Sequence, residues 1–426
     1  MALDHHRITA FNGGTAAMKF ALAGYGSRGD VEPLAAVGRE LLRRGHDVCV
    51  AITPRMVGFV ESVGLAALAY GPDLQAMGEQ GFDRNATIQY PVSSMVQALE
   101  RLSHSMAKRG ATVTALANGA DLLLALPDEQ WLHANVAEYY GIPLVALHLF
   151  PGGHARLDGL LGPLTKEAEE AQRRALGLPE ANGPSTRRAS LEIQAYDELC
   201  FPGLGGEWAE QGGRRPFVGT LTLELPTDAD DEALSWIAAG TPPIYFGFGS
   251  MPIPSPAETV AVISAACAQL GERALICGGS NHFAYVPHFD HVKVVSAVNH
   301  SAVFPACRAV VHHGGAGTTA AGMRAGTPTL ILWFSFVDQP IWAAVVERLK
   351  IGSGRPFSAS TLDSLVADLR SILTPQCVAR AREVAAQMTK PAQSVASAAD
   401  LLEDTAFLGR RGRLHHWLTT NEKRHG

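Results

Sequence analysis

Two histidines, three glycines and a threonine stand close together in the stretch AVVHHGGAGTTAAGMRAGTP, Ala309 to Pro328. Ala309, Val310 and Val311 read as a short buried strand, and the small residues after Gly317 have helical composition up to Gly326. A strand that empties through glycines into a helix start leaves backbone N–H groups unpaired, backed by about half a positive elementary charge of helix dipole. With no side chains in the way an anion can approach closely. Gly314, Gly315, Ala316, Gly317 and Thr318 are therefore a candidate diphosphate seat, to which His312 can add a donor or a charge. A tight strand-to-helix turn with a core histidine is the plainer reading, and spacing leaves it open.

Two acidic positions could act with such a seat. Asp30 lies in GYGSRGDVEP, Gly24 to Pro33, at the carboxyl end of a first strand and the start of a first helix, with Arg28 two residues before it. A carboxylate there serves equally as a helix cap or as a general base for a hydroxyl in a partly dry cleft. Asp338-Gln339-Pro340 follows the strand TLILW. It reads as an ordinary helix start, or as two acceptors and an amide suited to sugar hydroxyls.

Other chemistries find less support. Gly24, Gly26 and Gly29 satisfy GxGxxG, but a dinucleotide-dependent oxidoreductase needs an acid at the end of the second strand, where Ile52-Thr53-Pro54-Arg55 stands instead. Asp228-Ala229-Asp230 matches a metal-binding DxD pattern inside an acidic, solvated linker. The adjacent pairs His312-His313 and His415-His416 are poorly placed to share one ion, so no metal site is expected. No GxSxG elbow and no lysine P-loop occurs. A net charge of −6 gives no footprint for nucleic acid. The six cysteines are scattered without a CxxC pair, which fits a reducing cytoplasm, and no apolar run approaches the ~20 residues of a membrane span.

These residues need a scaffold that gathers strand ends. Strands at Lys19–Ala23, Asp47–Thr53, near Tyr70, at Asp121–Leu126 and at Pro143–Phe150 alternate with helices, and a second series starts at PPIYFGFGSM, Pro242 to Met251. The fold class is α/β, with two doubly wound, Rossmann-like domains whose strand ends face each other across a cleft. The expected divisions are a disordered extension over 1–17, an N-terminal domain over 18–220, a linker over 221–241 and a C-terminal domain over 242–390. A helix over 391–408 then crosses back towards the N-terminal domain, and a loose basic tail occupies 409–426, with at most peripheral contact to a membrane. TKEAEEAQRRALG reads as a solvated helix.

Taken together, GSRGDVEP, IYFGFGSM, VHHGGAGTTAAGMRAGTP and DQPIWA, in that order, resemble the GT-B glycosyltransferases of lipids and natural products, from about Lys19 to Leu402. That family includes glycopeptide-antibiotic, sterol and mycobacterial glycolipid (rhamnosyl-type) transferases, and AYDELCFPGLGGEW and RPFVG look most like the last branch. The resemblance implies an inverting hexosyltransferase that needs no cofactor or metal. It would move a hexose or deoxyhexose from a UDP- or dTDP-sugar to a hydroxyl of a lipid-linked or other hydrophobic acceptor, at the inner face of the plasma membrane. His312 and the amides of Gly315 to Thr318 would bind the diphosphate, Gly249 and Ser250 would close over it, and Val298 would meet the base through its backbone. Asp338 and Gln339 would hold the sugar, Arg28 would face the donor, and Asp30 would be the base. The chain departs from the pattern in a shortened stretch after Phe150, which normally walls the acceptor pocket, and in Trp333, where many members have proline. Alternatives are a dinucleotide-dependent oxidoreductase and a catalytically degenerate sugar-nucleotide binding protein.

Overall fold

The computed structural model describes residues 17–73, 105–127, 130–152, 155–180, 189–210, 215–279, 289–334 and 338–425. The extension expected over 1–17 lies almost wholly outside the described residues. Among the described residues twelve strands form two six-stranded parallel sheets. The first comprises β1 (Lys19–Gly24), β2 (Asp47–Ile52), β3 (Ala66–Ala69), β4 (Leu122–Ala125), β5 (Leu144–His148) and β6 (Leu191–Gln194). The second comprises β7 (Ile244–Gly247), β8 (Ala274–Cys277), β9 (Val292–Val295), β10 (Ala309–His312), β11 (Thr329–Trp333) and β12 (Gly352–Pro356).

Their orders are β3-β2-β1-β4-β5-β6 and β12-β11-β10-β7-β8-β9. Counted from its own first strand, each is the doubly wound order 3-2-1-4-5-6, so the two halves share one topology. In such a sheet the crevice opens where the winding reverses, outside the carboxyl ends of the first and fourth strands. Here those are β1 with β4, and β7 with β10. Near-continuous apolar strands such as LLLA and IYFG are buried along their length, as a sheet covered on both faces requires. The helix Arg28–Arg43 covers the first sheet with Val31, Leu34, Val37 and Leu41, spaced three or four apart along one face.

Two expectations change. The chain from Pro391 to His425 is one helix of 35 residues, where a helix to 408 and a loose tail were expected. It crosses to the N-terminal domain, where Ala398, Ala399, Leu402 and Ala406 join the core. Beyond 408 it stays docked because Arg410 and Arg413 both reach Asp121 at the amino end of β4. Burial alone would raise the Asp121 carboxyl, but the bonds from Arg410 and from the Lys19 amide outweigh it and hold the group below its usual range. Asp121→Asn should lower stability by about 1–3 kcal/mol, because it strands two guanidinium groups. Urea unfolding checks this, and an unchanged midpoint would show the docking to be inert.

The segment TKEAEEAQRRALG lies in the helix Ala155–Leu176 and is not solvated throughout. Glu169 and Arg173 are buried, and Arg173 is held by Glu138, Asn135 and the Pro179 carbonyl. After β6, Tyr196, Cys200, Phe201 and Phe217 pack with Trp342, Met323 and Ile331 of the C-terminal half in one cluster, while Ala195, Val218 and Leu221 stay in the N-terminal core.

Candidate active site

The carboxyl end of β1 is built to present Asp30. The loop after it turns at Gly26 (φ +150°), where a Cβ would stand 2.2 Å from Asp30 Oδ2. Thr53, at the end of β2, fixes this loop. Its hydroxyl accepts from the Gly26 N–H at 2.8 Å and donates to the Gly26 carbonyl at 2.9 Å. Thr53 is 1% exposed, so the position where a dinucleotide-binding sheet needs a ribose carboxylate is filled by a loop anchor.

Asp30 is a helix cap and also a cleft residue. Its Oδ2 accepts from the Ser27 N–H at 2.7 Å and the Ser27 hydroxyl at 3.1 Å. Burial is the largest influence on its carboxyl, the bonds from Ser27 oppose it, and the charge of Asp338 adds to it, leaving the group pushed up to about 6. Asp338 belongs to the other domain, at the start of the helix Gln339–Arg348, so the two acids approach across the cleft. Arg28 is paired with Glu32 at 2.8 Å and lies 4.8 Å over the Phe59 ring, and its charge is felt at His300 and Cys277 on the facing domain.

Opposite stands the glycine loop. His312 ends β10 at 0% exposure, and its Nδ1 accepts from the Gly314 N–H at 3.0 Å. An accepting Nδ1 places the proton of the neutral ring on Nε2. Among the described residues that Nε2 has no partner, a buried donor without an acceptor. Burial, followed by the neighbouring His313 and His300, holds His312 well below the ordinary imidazole range. Of the two possibilities, donor or charge, the free protein offers the donor.

The loop then turns at Gly314 (φ +95°), where a Cβ would meet Ile331 Cγ2 at 2.8 Å and Gln339 Cβ at 3.1 Å. Gly315 caps the helix Ala316–Ala325, Gly315 to Thr318 are partly exposed, and a Cβ on Gly317 would find nothing within 4 Å. Unpaired amides at the head of a ten-residue helix, an open approach and an orphaned N–H beside it fit a diphosphate.

His313 was not singled out by sequence. Its ring is clasped between Gly249 (φ +58°), where a Cβ would lie 2.8 Å from Cε1, and Gly315, where one would lie 2.6 Å from Nε2. Burial takes it down to about 4. Two glycines from different strand ends closing on one residue was the available signal, but sequence does not show that β7 and β10 are neighbours.

Residues 20–121 match the Glycosyltransferase family 28 N-terminal domain, and residues 251–405 match the Erythromycin biosynthesis protein CIII-like, C-terminal domain. The same fold occurs in the calicheamicin glycosyltransferase CalG4 (TM-score 0.71, 18% identity, 92% of this chain and 98% of that one). It occurs again in the glycosyltransferase VinC (TM-score 0.65, 19% identity, 92% and 100%). An uncharacterized glycosyltransferase of Mycobacterium tuberculosis is 58% identical over 421 residues, covering 93% of this chain and all of its own. The chain belongs to the GT-B glycosyltransferases. A sterol 3-beta-glucosyltransferase of Arabidopsis thaliana is a more distant relative, 27% identical over 90% of this chain and 67% of its own.

In this glycosyltransferase the ends of β7, β10 and β11 meet at Gly249, His313 and Gly314, the last against Gln339. Gly249 and Ser250 are exposed at the end of β7, beside His313. Val298 turns its side chain into a cluster with Val295, Val303 and Phe304. Gln339 is 4% exposed, with Oε1 accepting from the Phe334 N–H at 2.8 Å and Nε2 donating to Met251 Sδ at 3.4 Å. In this conformation its amide braces the loop. Asp230, of the DxD pattern, is neither solvated nor presented to a metal. It accepts from the Thr227 N–H and hydroxyl and from the Asn299 N–H at 2.7–2.8 Å. Among the described residues no group of three or more metal-ligating side chains is found, and no helix is long and apolar enough to cross a membrane.

Proposed function

We propose that this glycosyltransferase moves a hexose or deoxyhexose from a UDP- or dTDP-sugar to a hydroxyl of a lipid-linked or other hydrophobic acceptor, with inversion and without a metal ion. The observation that carries this reading is the placement of Asp30 across a cleft from Asp338 and the Gly315–Thr318 helix start, both at topological switch points. Ionised Asp30 takes the proton of the acceptor hydroxyl, whose oxygen attacks the anomeric carbon from the face away from the diphosphate. The bond to the diphosphate breaks and the configuration inverts. Negative charge then grows on the leaving group, where the amides of Gly315 to Thr318 and the Nε2–H of His312 receive it. Such oriented donors are each worth ~3 kcal/mol in a barrier. Asp338 holds the sugar hydroxyls while the Gln339 amide braces the loop beside it, Gly249 and Ser250 flank the phosphates and Val298 borders the base. Arg28 adds positive charge from the facing domain.

Two relatives support the substrate classes. VinC has been solved in complex with dTDP, and the Arabidopsis relative is named for a sterol hydroxyl as its acceptor. Six unpaired cysteines suit a reducing cytoplasm for the reaction. Calorimetry with UDP-, dTDP- and GDP-sugars tests the donor, and a preference for NADH would overturn the assignment. Turnover should persist in EDTA at the rate seen without it, and a strict divalent-metal requirement would contradict the metal-free step. Nucleotide binding with neither transfer nor donor hydrolysis over a broad acceptor panel would mark a degenerate binding protein.

A further inference from the structure

The chain passes between the two domains twice, near Gly219 and near Thr389, and the two crossings press on each other. At Gly219 (φ +79°) a Cβ would stand 2.5 Å from Ser394 Oγ and 2.8 Å from Thr389 Cβ. Into this junction reaches Arg324, from the last turn of the helix Ala316–Ala325 whose first turn is the diphosphate seat. Its guanidinium donates to both crossings, to the Thr220 carbonyl at 2.7 Å and the Thr222 hydroxyl at 3.3 Å on one side. On the other it donates to the Thr389 carbonyl at 3.0 Å and the Ser394 hydroxyl at 3.3 Å. Asp197, which follows the N-terminal sheet, is 4% exposed and accepts from the Thr389 N–H at 2.7 Å. Burial holds the Arg324 guanidinium below its usual range, and the carboxylates of Asp197 and Glu224 work against that by favouring its charged form. On the linker side, Leu223 is fastened to the first helix through Glu32, at 3.1 Å.

We propose that Arg324 is a positioning residue that fixes the angle between the domains, and through it the reach of Asp30 to a sugar held at Gly315–Thr318. A planar fork of five donors can reach both chain crossings in a fixed geometry, whereas a lysine ammonium offers three donors from a single point. Both reacting groups ride on opposite sides of this junction, so a small rotation there becomes a displacement at the cleft. A misplacement on the order of 1 Å costs roughly 10²-fold in rate. The inference rests on the reading of Asp30 and the diphosphate seat given above.

The test uses the full chain with Arg324→Met and Arg324→Lys. UDP and dTDP affinities are read by calorimetry, turnover with whichever of UDP-glucose and dTDP-rhamnose binds, and domain separation by small-angle scattering. Arg324→Met should lower kcat about 10- to 100-fold, keep nucleotide Kd within about threefold and broaden the scattering envelope, with Lys recovering part of each. Wild-type kcat and scattering in Arg324→Met would overturn the proposal. So would a fall in kcat matched by an equal loss of nucleotide affinity, since the residue would then act on the donor helix itself. If Arg324→Met does not fold, Ser394→Ala and Asp197→Asn should show the same split at smaller amplitude, and its absence in both overturns the proposal. Scattering does not depend on turnover. An inactive wild type would therefore count against the transferase reading and leave the junction still tested.

Discussion

Asp30→Asn is expected to lower transfer by about 10²–10⁴-fold, the usual share of a positioned general base, while UDP or dTDP affinity stays nearly unchanged. The amide can keep the bond from the Ser27 N–H, so the first helix retains its cap, and only proton abstraction is lost. Affinity is spared because the proposed diphosphate seat, at the helix Ala316–Ala325, lies on the other domain. Wild-type turnover should itself rise with pH through about 6, where Asp30 ionises. Its carboxyl is raised in the fold from an ordinary 3.8, so the native state keeps a proton that the unfolded chain releases. Stability therefore falls as pH rises through that window. Above it, Asp30→Asn should be the more stable protein by about 1–2 kcal/mol, after discounting the shift for partial exposure. Thermal melts at pH 5 and pH 8 check this, and equal midpoints at pH 8 would show that the ionised carboxylate carries no strain.

Gly315→Ala should have the opposite signature, with nucleotide affinity falling about 10- to 100-fold, or 1.4–2.8 kcal/mol, and stability falling by about 1–3 kcal/mol from the crowding. The backbone at Gly315 is one that any residue adopts (φ −63°), so the helix start survives. The new methyl would stand 2.6 Å from His313 Nε2, and that ring cannot retreat because Gly249 closes on its far side. Either the imidazole or the methyl must then enter the space where phosphate oxygens approach the amides. Titration of UDP and dTDP into the variant measures the effect, and unchanged affinity would move the diphosphate elsewhere.

How much of this was legible in sequence depended on the range of the interactions. Strands such as β1, β4 and β10 announce themselves because they are apolar and local, and the glycine loop because its chemistry is written in one stretch. β12 (GSGRP) could not be read that way, since it has almost no apolar residue. Its glycines exist for close approach, with a Cβ on Gly352 falling 1.8 Å from the Thr329 carbonyl and one on Gly354 falling 2.6 Å from Ala343 Cβ. Arg173 looked solvated because its partners, Glu138 and Asn135, lie 35 and 38 residues away. Arg410 likewise finds Asp121 from 289 residues away, which turns a basic tail into a docked helix. The clasp of Gly249 and Gly315 around His313, and the approach of Asp30 to Asp338, depend on tertiary placement that no local pattern encodes.

Everything proposed for the cleft turns on where the diphosphate sits. A structure of the full chain with UDP or dTDP bound tests that most directly. Phosphate oxygens should lie within hydrogen-bond distance of the Gly315 to Thr318 amides and of His312 Nε2, with Asp30 facing the vacant sugar position. Phosphates bound at the Gly24–Gly29 turn, or a cleft in which Asp30 points away from the nucleotide, would contradict the mechanism.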